Sequence, residues 1–215
     1  MVWYIAALCV LLGSIGLAQF TGFSKEFLEF IRSEYGRRAQ RTMEEWEDLV
    51  KNNRNIPEME KLEKVNLFFN KKIWFTDDIR HWRKEDYWAT PMETMATLAG
   101  DCEDFTIAKY FTLRELNVAD ERLRLTYVRA RRPNQAHMVL AYFATKTSEP
   151  LVLDNLTDRI RPASERRDLT PVYSFNGRSL WRAKEFGEGR EVGSAGNVNL
   201  WSDVIHRMRK EKFPY

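Results

Sequence analysis

Cysteine is nearly absent from this chain. Only Cys9 and Cys102 occur in 215 residues, and Cys9 lies in an apolar leader, so once that leader is cut no disulfide can form within one chain and Cys102 is a free thiol. Histidine is almost as scarce, with His81, His137 and His206. No two Cys or His residues stand at the close spacing of zinc ligands, which excludes an ordinary zinc site. A dominant charge is missing too: Lys and Arg total 34 against 31 Asp and Glu, interspersed, for a net +3. That balance argues against a nucleic-acid partner. The chain also lacks an internal repeat, an EF-hand pattern and a linker long enough to separate domains. With 44% apolar and 13% aromatic residues there is ample material for a core, and residues 19–215 read as a single domain.

Residues 1–18 stand apart. From residue 2 the run is apolar, broken only by Gly13, Ser14 and Gly16, and Gly16-Leu17-Ala18 offers small residues ahead of a cut before Gln19. No Lys or Arg precedes the run, and its length approaches the roughly 20 residues of a membrane span. Two readings therefore stand, a cleaved export signal and an uncleaved N-terminal anchor. Both place the folded region outside the cytosol. Ala6-Ala7-Leu8 before Cys9 is not a lipobox.

Apolar spacing predicts the elements. Ser24 opens a helix with Phe27, Leu28, Ile31 and Tyr35 on one side; Met43, Trp46, Leu49 and Val50 mark a second; Pro57 opens a third carrying Leu62, Val65, Phe68, Phe69 and Ile73. The aromatic stretch 74–88, with Trp74, Trp82 and Trp88, reads as a cap on the core or as the wall of a cleft. Thr90-Pro91-Met92-Glu93 has the form of a capping box and predicts a short helix to about Leu98. After a helix over residues 102–116, buried along one side, Leu123 to Arg131, His137 to Phe143 and Leu151 to Asp154 are expected strands, with further strand over Pro171 to Trp181. Gly187, Gly189, Gly193 and Gly196 mark a mobile loop, and Leu200 to Phe213 a basic amphipathic helix. The class is α+β, a helical N-terminal layer packed on an antiparallel sheet.

Chemistry gathers in Leu98-Ala99-Gly100-Asp101-Cys102-Glu103-Asp104-Phe105. Gly100 permits a sharp bend, Asp101 is placed to cap the helix, and Cys102 falls in its first turn, where the helix dipole favours a thiolate. A nucleophilic thiol needs a base, and the base needs a group to orient it. His137 at a strand start and Asp154 at the end of the next strand complete one candidate set. His81, among Arg80, Trp82 and Arg83, and His206, on the basic terminal helix, fit poorly. Each member also has a structural reading: a small core cysteine, a partly buried histidine, a turn-forming aspartate. The flanking acids have two readings as well. Asp101, Glu103 and Asp104 either cap the helix and face solvent or hold a hard divalent cation that offsets the repulsion around a thiolate.

Five segments resemble one family when taken together: Asp86-Tyr87-Trp88-Ala89-Thr90-Pro91, Gly100-Asp101-Cys102-Glu103-Asp104-Phe105, Ala108-Lys109-Tyr110-Phe111, His137-Met138-Val139-Leu140 and Pro150-Leu151-Val152-Leu153-Asp154-Asn155-Leu156. They are similar to the bacterial transglutaminase-like cysteine proteinases of the LapG type, over roughly residues 66–181. The resemblance implies a papain-like or transglutaminase-like fold and a periplasmic, calcium-dependent endopeptidase. Such an enzyme clips a large surface adhesin near its N-terminus, releases biofilm cells, and is restrained by a LapD-like inner-membrane receptor for cyclic di-GMP. By motif match the resemblance carries the catalytic triad onto Cys102, His137 and Asp154, and the calcium residues onto Asp101, Glu103 and Asp104. Ala99 departs from the Gly-x-Gly expected before the aspartate. Two alternatives keep the same fold: a transglutaminase-like acyltransferase, which shares the triad and differs only in what attacks the thioester, and a non-catalytic binding module built on the stretch 74–88. The intact Cys102, His137 and Asp154 argue against the second.

Overall fold

The computed structural model describes residues 20–131, 134–182 and 189–211. The leader, Gly187 and Phe213 lie outside them. Helix α1 (Lys25–Tyr35) starts where Ser24 Oγ accepts the Phe27 N–H at 3.2 Å, and Gly36, at φ 90°, turns the chain into α2 (Arg37–Asn53). Pro57 precedes α3 (Glu58–Lys72), which carries acids in its first turn and lysines in its last, matching the helix dipole. Trp46, Val50, Leu62, Val65 and Phe69 are fully buried, so the expected apolar stripes of α2 and α3 are core, whereas α1 buries only Ile31 and leaves Tyr35 exposed. Among the described residues no helix is long and apolar enough to cross a membrane.

A short strand β1 (Trp74–Phe75), a single turn α4 (Asp78–His81) and α5 (Pro91–Thr97) lead to β2 (Ala99–Gly100), which pairs parallel with β1. The capping box of α5 forms as expected, with Thr90 and Glu93 exchanging side-chain and backbone bonds. Helix α6 (Cys102–Glu115) follows. It is buried without a break from Asp104 to Leu113 rather than along one side, because α3 and α5 pack on one flank and the sheet on the other. Its polar side chains survive this burial by finding partners. Lys109 Nζ donates to the Oδ1 of Asn66 and of Asn70, each at 2.8 Å, and Trp46 Nε1 donates to Thr112 Oγ1 at 2.8 Å.

The sheet is antiparallel and seven-stranded, in the order β6-β5-β4-β3-β7-β8-β9: β3 (Leu123–Arg131), β4 (Asn134–Tyr142), β5 (Leu151–Leu153), β6 (Arg161–Pro162), β7 (Leu169–Phe175), β8 (Ser179–Arg182) and β9 (Arg190–Ser194). Strand β4 starts earlier than expected because its ladder with β3 continues to Arg131↔Asn134, so His137 lies inside the strand and not at its start. The glycine-rich segment also differs from expectation. Residues 190–194 pair with β8, and Gly196 sits in a 3-10 turn closed by Ser194 Oγ. Pairing with β8 orders what glycine content alone reads as loop. Alternation sorts the sheet residues onto two faces. Leu125, Met138, Leu140, Leu153 and Phe175 join the main core, whereas Val128, Val139 and Val152 form a separate small cluster. The last element among the described residues is α7 (Asn199–Lys210), which docks through Trp201, Val204 and Met208.

Candidate active site

The approach to Cys102 is a tightly held turn. Its bend falls on Leu98, which caps α5 in the left-handed conformation at φ 56°, and the β1 ladder pins it through Trp74 N–H to Leu98 O and Thr76 N–H to Gly100 O, both at 2.9 Å. Gly100 serves a different purpose from the expected bend. A Cβ there would lie 2.6 Å from the Asp104 Cβ. The close approach lets the buried Asp104 carboxylate accept from Ala89 N–H at 2.7 Å and Asp101 N–H at 3.2 Å, tying the 86–90 segment to the helix start. Gly100→Ala is therefore expected to cost about 1–3 kcal/mol by overpacking, read as a lower denaturation midpoint.

Cys102 is half-buried in the first turn of α6, with its sulfur against the Met138 N–H of β4. Thr106 Oγ1 fixes the same junction, 2.8 Å from the Cys102 carbonyl and 3.1 Å from the Met138 carbonyl. The nucleophile candidate is thereby set beside the residue that follows His137. The thiol itself donates to Glu103 Oε2 at 2.9 Å. Burial pushes this thiol up, and the charges of Glu103 and Asp101 push it further.

His137 and Asp154 meet as the strand pairing suggests. The register Leu140↔Leu153 places them as diagonal neighbours on one face, and His137 Nε2 lies 2.9 Å from Asp154 Oδ1. Asp154 is held from several sides: Arg166 Nη2 donates to Oδ2 at 2.7 Å, Leu156 N–H to Oδ1 at 3.1 Å, and Asn70 Nδ2 to its carbonyl at 3.0 Å. Burial alone would raise this carboxyl. The bonds from His137, Leu156 and Arg166 win and hold it well below the usual carboxylate range. Its contribution to stability is accordingly present above the unfolded value of about 4 and is lost as the pH falls below it. Wild-type protein is expected to lose more stability than Asp154→Asn between neutral pH and pH ~3, compared by urea unfolding at each pH.

The acids beside Cys102 belong to a larger cluster. Ligand atoms of Asp78, Asp101 and Asp104 all lie within 4.8 Å of one another, as do those of Asp78, Asp86 and Glu103 and those of Asp101, Cys102 and Glu103. Asp78 Oδ1 and Asp101 Oδ1 are buried with no hydrogen-bond partner. Burial and the neighbouring carboxylates push Asp78 up to about 6, Asp101 up to about 10, and Asp104 well above its ordinary value. Several oxygen donors, two of them orphaned, fit a hard divalent cation such as calcium and not a soft one. Asp78 escaped the sequence reading, though the Asp77-Asp78 pair in the aromatic stretch was a usable signal. Arg166 carried no signal, since it stands in a run of ordinary surface arginines.

The model of the bacterial transglutaminase-like cysteine proteinase family matches residues 24–171, more than half of the chain. The chain belongs to this family. Among solved structures, this cysteine proteinase is similar to LapG of Legionella pneumophila in its EGTA-treated form, at 38% identity and TM-score 0.75 over 87% of this chain and 98% of that one. It is also similar to the calcium-bound form of that protein, at 39% identity and TM-score 0.73 over 86% and 99%. No curated protein matches the chain. The fold expected from the sequence, α+β and transglutaminase-like, is the fold of this proteinase.

Proposed function

We propose that this proteinase is a calcium-dependent endopeptidase working through a Cys102-His137-Asp154 triad. The observation that carries the reading is the His137–Asp154 pair, braced by Arg166 and set on β4 beside the helix start that presents Cys102. Asp154 takes Nε2 of the imidazole and fixes its tautomer, so Nδ1 is the nitrogen left to serve the thiol. The Cys102 sulfur attacks the scissile carbonyl carbon while its proton passes to His137. His137 then protonates the leaving amine, and a water deprotonated by the same ring hydrolyses the thioester. The Cys102 N–H, an orphan of the first helical turn, donates to the oxyanion.

Asp101, Glu103 and Asp104 would hold the calcium, joined by Asp78, whose ligand atom lies within 4.8 Å of those of Asp101 and Asp104. When bound, the ion supplies positive charge that offsets the carboxylates around the sulfur. The calcium-bound form of Legionella LapG supports calcium as the ion.

The substrate, the setting and the regulator follow from the family resemblance. The substrate is the N-terminal region of a large surface adhesin, whose release frees biofilm cells. The apolar leader supports export to the periplasm, and a LapD-like inner-membrane receptor for cyclic di-GMP would control access to the adhesin. The test is a digest of exported surface proteins by purified wild-type protein and by Cys102→Ala, with sequencing of the new N-termini. One large protein cut near its N-terminus by the wild type alone is the expected result, and no cut overturns the proposal.

A further inference from the structure

A cavity of about 350 Å³ lies on the sheet face that carries the small cluster Val128, Val139 and Val152. Its volume is in the range of small-molecule sites. Cys102, His137, Asp154 and the acidic cluster do not line it. Its walls are apolar, but its charge has one sign: Arg124, Arg131, Arg166 and Arg167 border it, and no Asp or Glu does among the described residues. Arg166 is buried, 8% exposed, with Nη2 on Asp154 and Asp168 and Nε on Asp168. Its Nη1 is buried with no hydrogen-bond partner. An unsatisfied buried guanidinium nitrogen is costly to keep, and with Nε and Nη2 already engaged the N–H groups of Nη1 are left to take an anionic oxygen.

We propose that this cavity binds an alkyl carboxylate, with its head group on Arg166 Nη1 and Arg167 and its chain over Val128, Val139 and Val152. Charge complementarity selects the head, and the valine floor selects an aliphatic tail over a polar one. The ligand would be separated from Asp154 by a single side chain, since the guanidinium that receives it also holds that carboxylate.

Decanoate is the probe, titrated by calorimetry into the full chain, so binding is read without reference to proteolysis and the failure of either reading is distinguishable from the other. Decylammonium, with the same tail and the opposite charge, is the control. Arg167 is exposed, and Arg167→Ala removes some of the head-group contact without touching the core; Ala163→Trp fills the cavity from its half-buried rim. Decanoate is expected to bind, to weaken about tenfold in Arg167→Ala, and to lose binding in Ala163→Trp, while decylammonium does not bind. Absence of decanoate binding to the wild type, equal binding of the two amphiphiles, or decanoate binding unchanged in both variants overturns the proposal.

Discussion

Cys102→Ala is expected to slow cleavage by about 10³-fold or more, with the unfolding midpoint within error of the wild type. The magnitude follows from the chemistry, because removal of the nucleophile leaves only binding and the oxyanion donors to act on the scissile bond. The unchanged midpoint follows from the structure. The sulfur is half-buried, packed only against the edge of the core, and its thiol bonds a neighbouring carboxylate, so a methyl in its place removes little buried area. His137→Ala should match it in rate. A Cys102→Ala protein that cleaves at the wild-type rate, and unfolds at the wild-type midpoint, would remove the thiol from the mechanism.

The second large effect concerns calcium. Excess chelator is expected to stop cleavage, and calcium to restore it where magnesium does not, since an irregular set of protein carboxylates suits a larger ion of flexible coordination. Binding should also appear as stability. An ion present at 100 times its dissociation constant adds about 2.7 kcal/mol, which for a chain of this size raises the midpoint by roughly 5–10 °C. Asp78→Asn tests the residue that the sequence did not reveal. It should lose the calcium-dependent gain while leaving Cys102, Glu103 and the His137–Asp154 pair in place. A midpoint equal in chelator and in calcium would show the acids to be structural alone.

What was legible in the sequence is what depends on local chemistry. The Thr90 capping box, the Pro57 helix start and the apolar stripes of α2 and α3 are written in neighbouring residues, and each appears where it was expected. The His137–Asp154 contact was legible for a related reason, since two adjacent antiparallel strands bring such residues into one row. The departures are all tertiary. Gly100 reads as a turn residue, yet its role is set by the Asp104 side chain packed against it. Gly193 of β9 reads as loop, and a partner strand orders it. Asp78 does not by itself point to a cluster, because the acids that surround it come from two other stretches, Asp86 and residues 101–104. Arg166 is invisible for the same reason, its importance being conferred by a carboxylate twelve positions away.

The clamp at the far end of the chain has a bearing on timing. Thr90 Oγ1 donates to Glu211 Oε1 at 2.9 Å, and Arg207 bonds both Glu93 and the Trp88 carbonyl, so α7 grips the segment that supplies Ala89 to Asp104. A polypeptide that has emerged only as far as β9 already contains every residue of the proposed triad but not this grip. Trp88, Thr90 and Glu93 then lack the bonds that Arg207 and Glu211 supply. The order of the elements therefore places the last fastening of the Ala89 to Asp104 segment after every residue of the proposed triad.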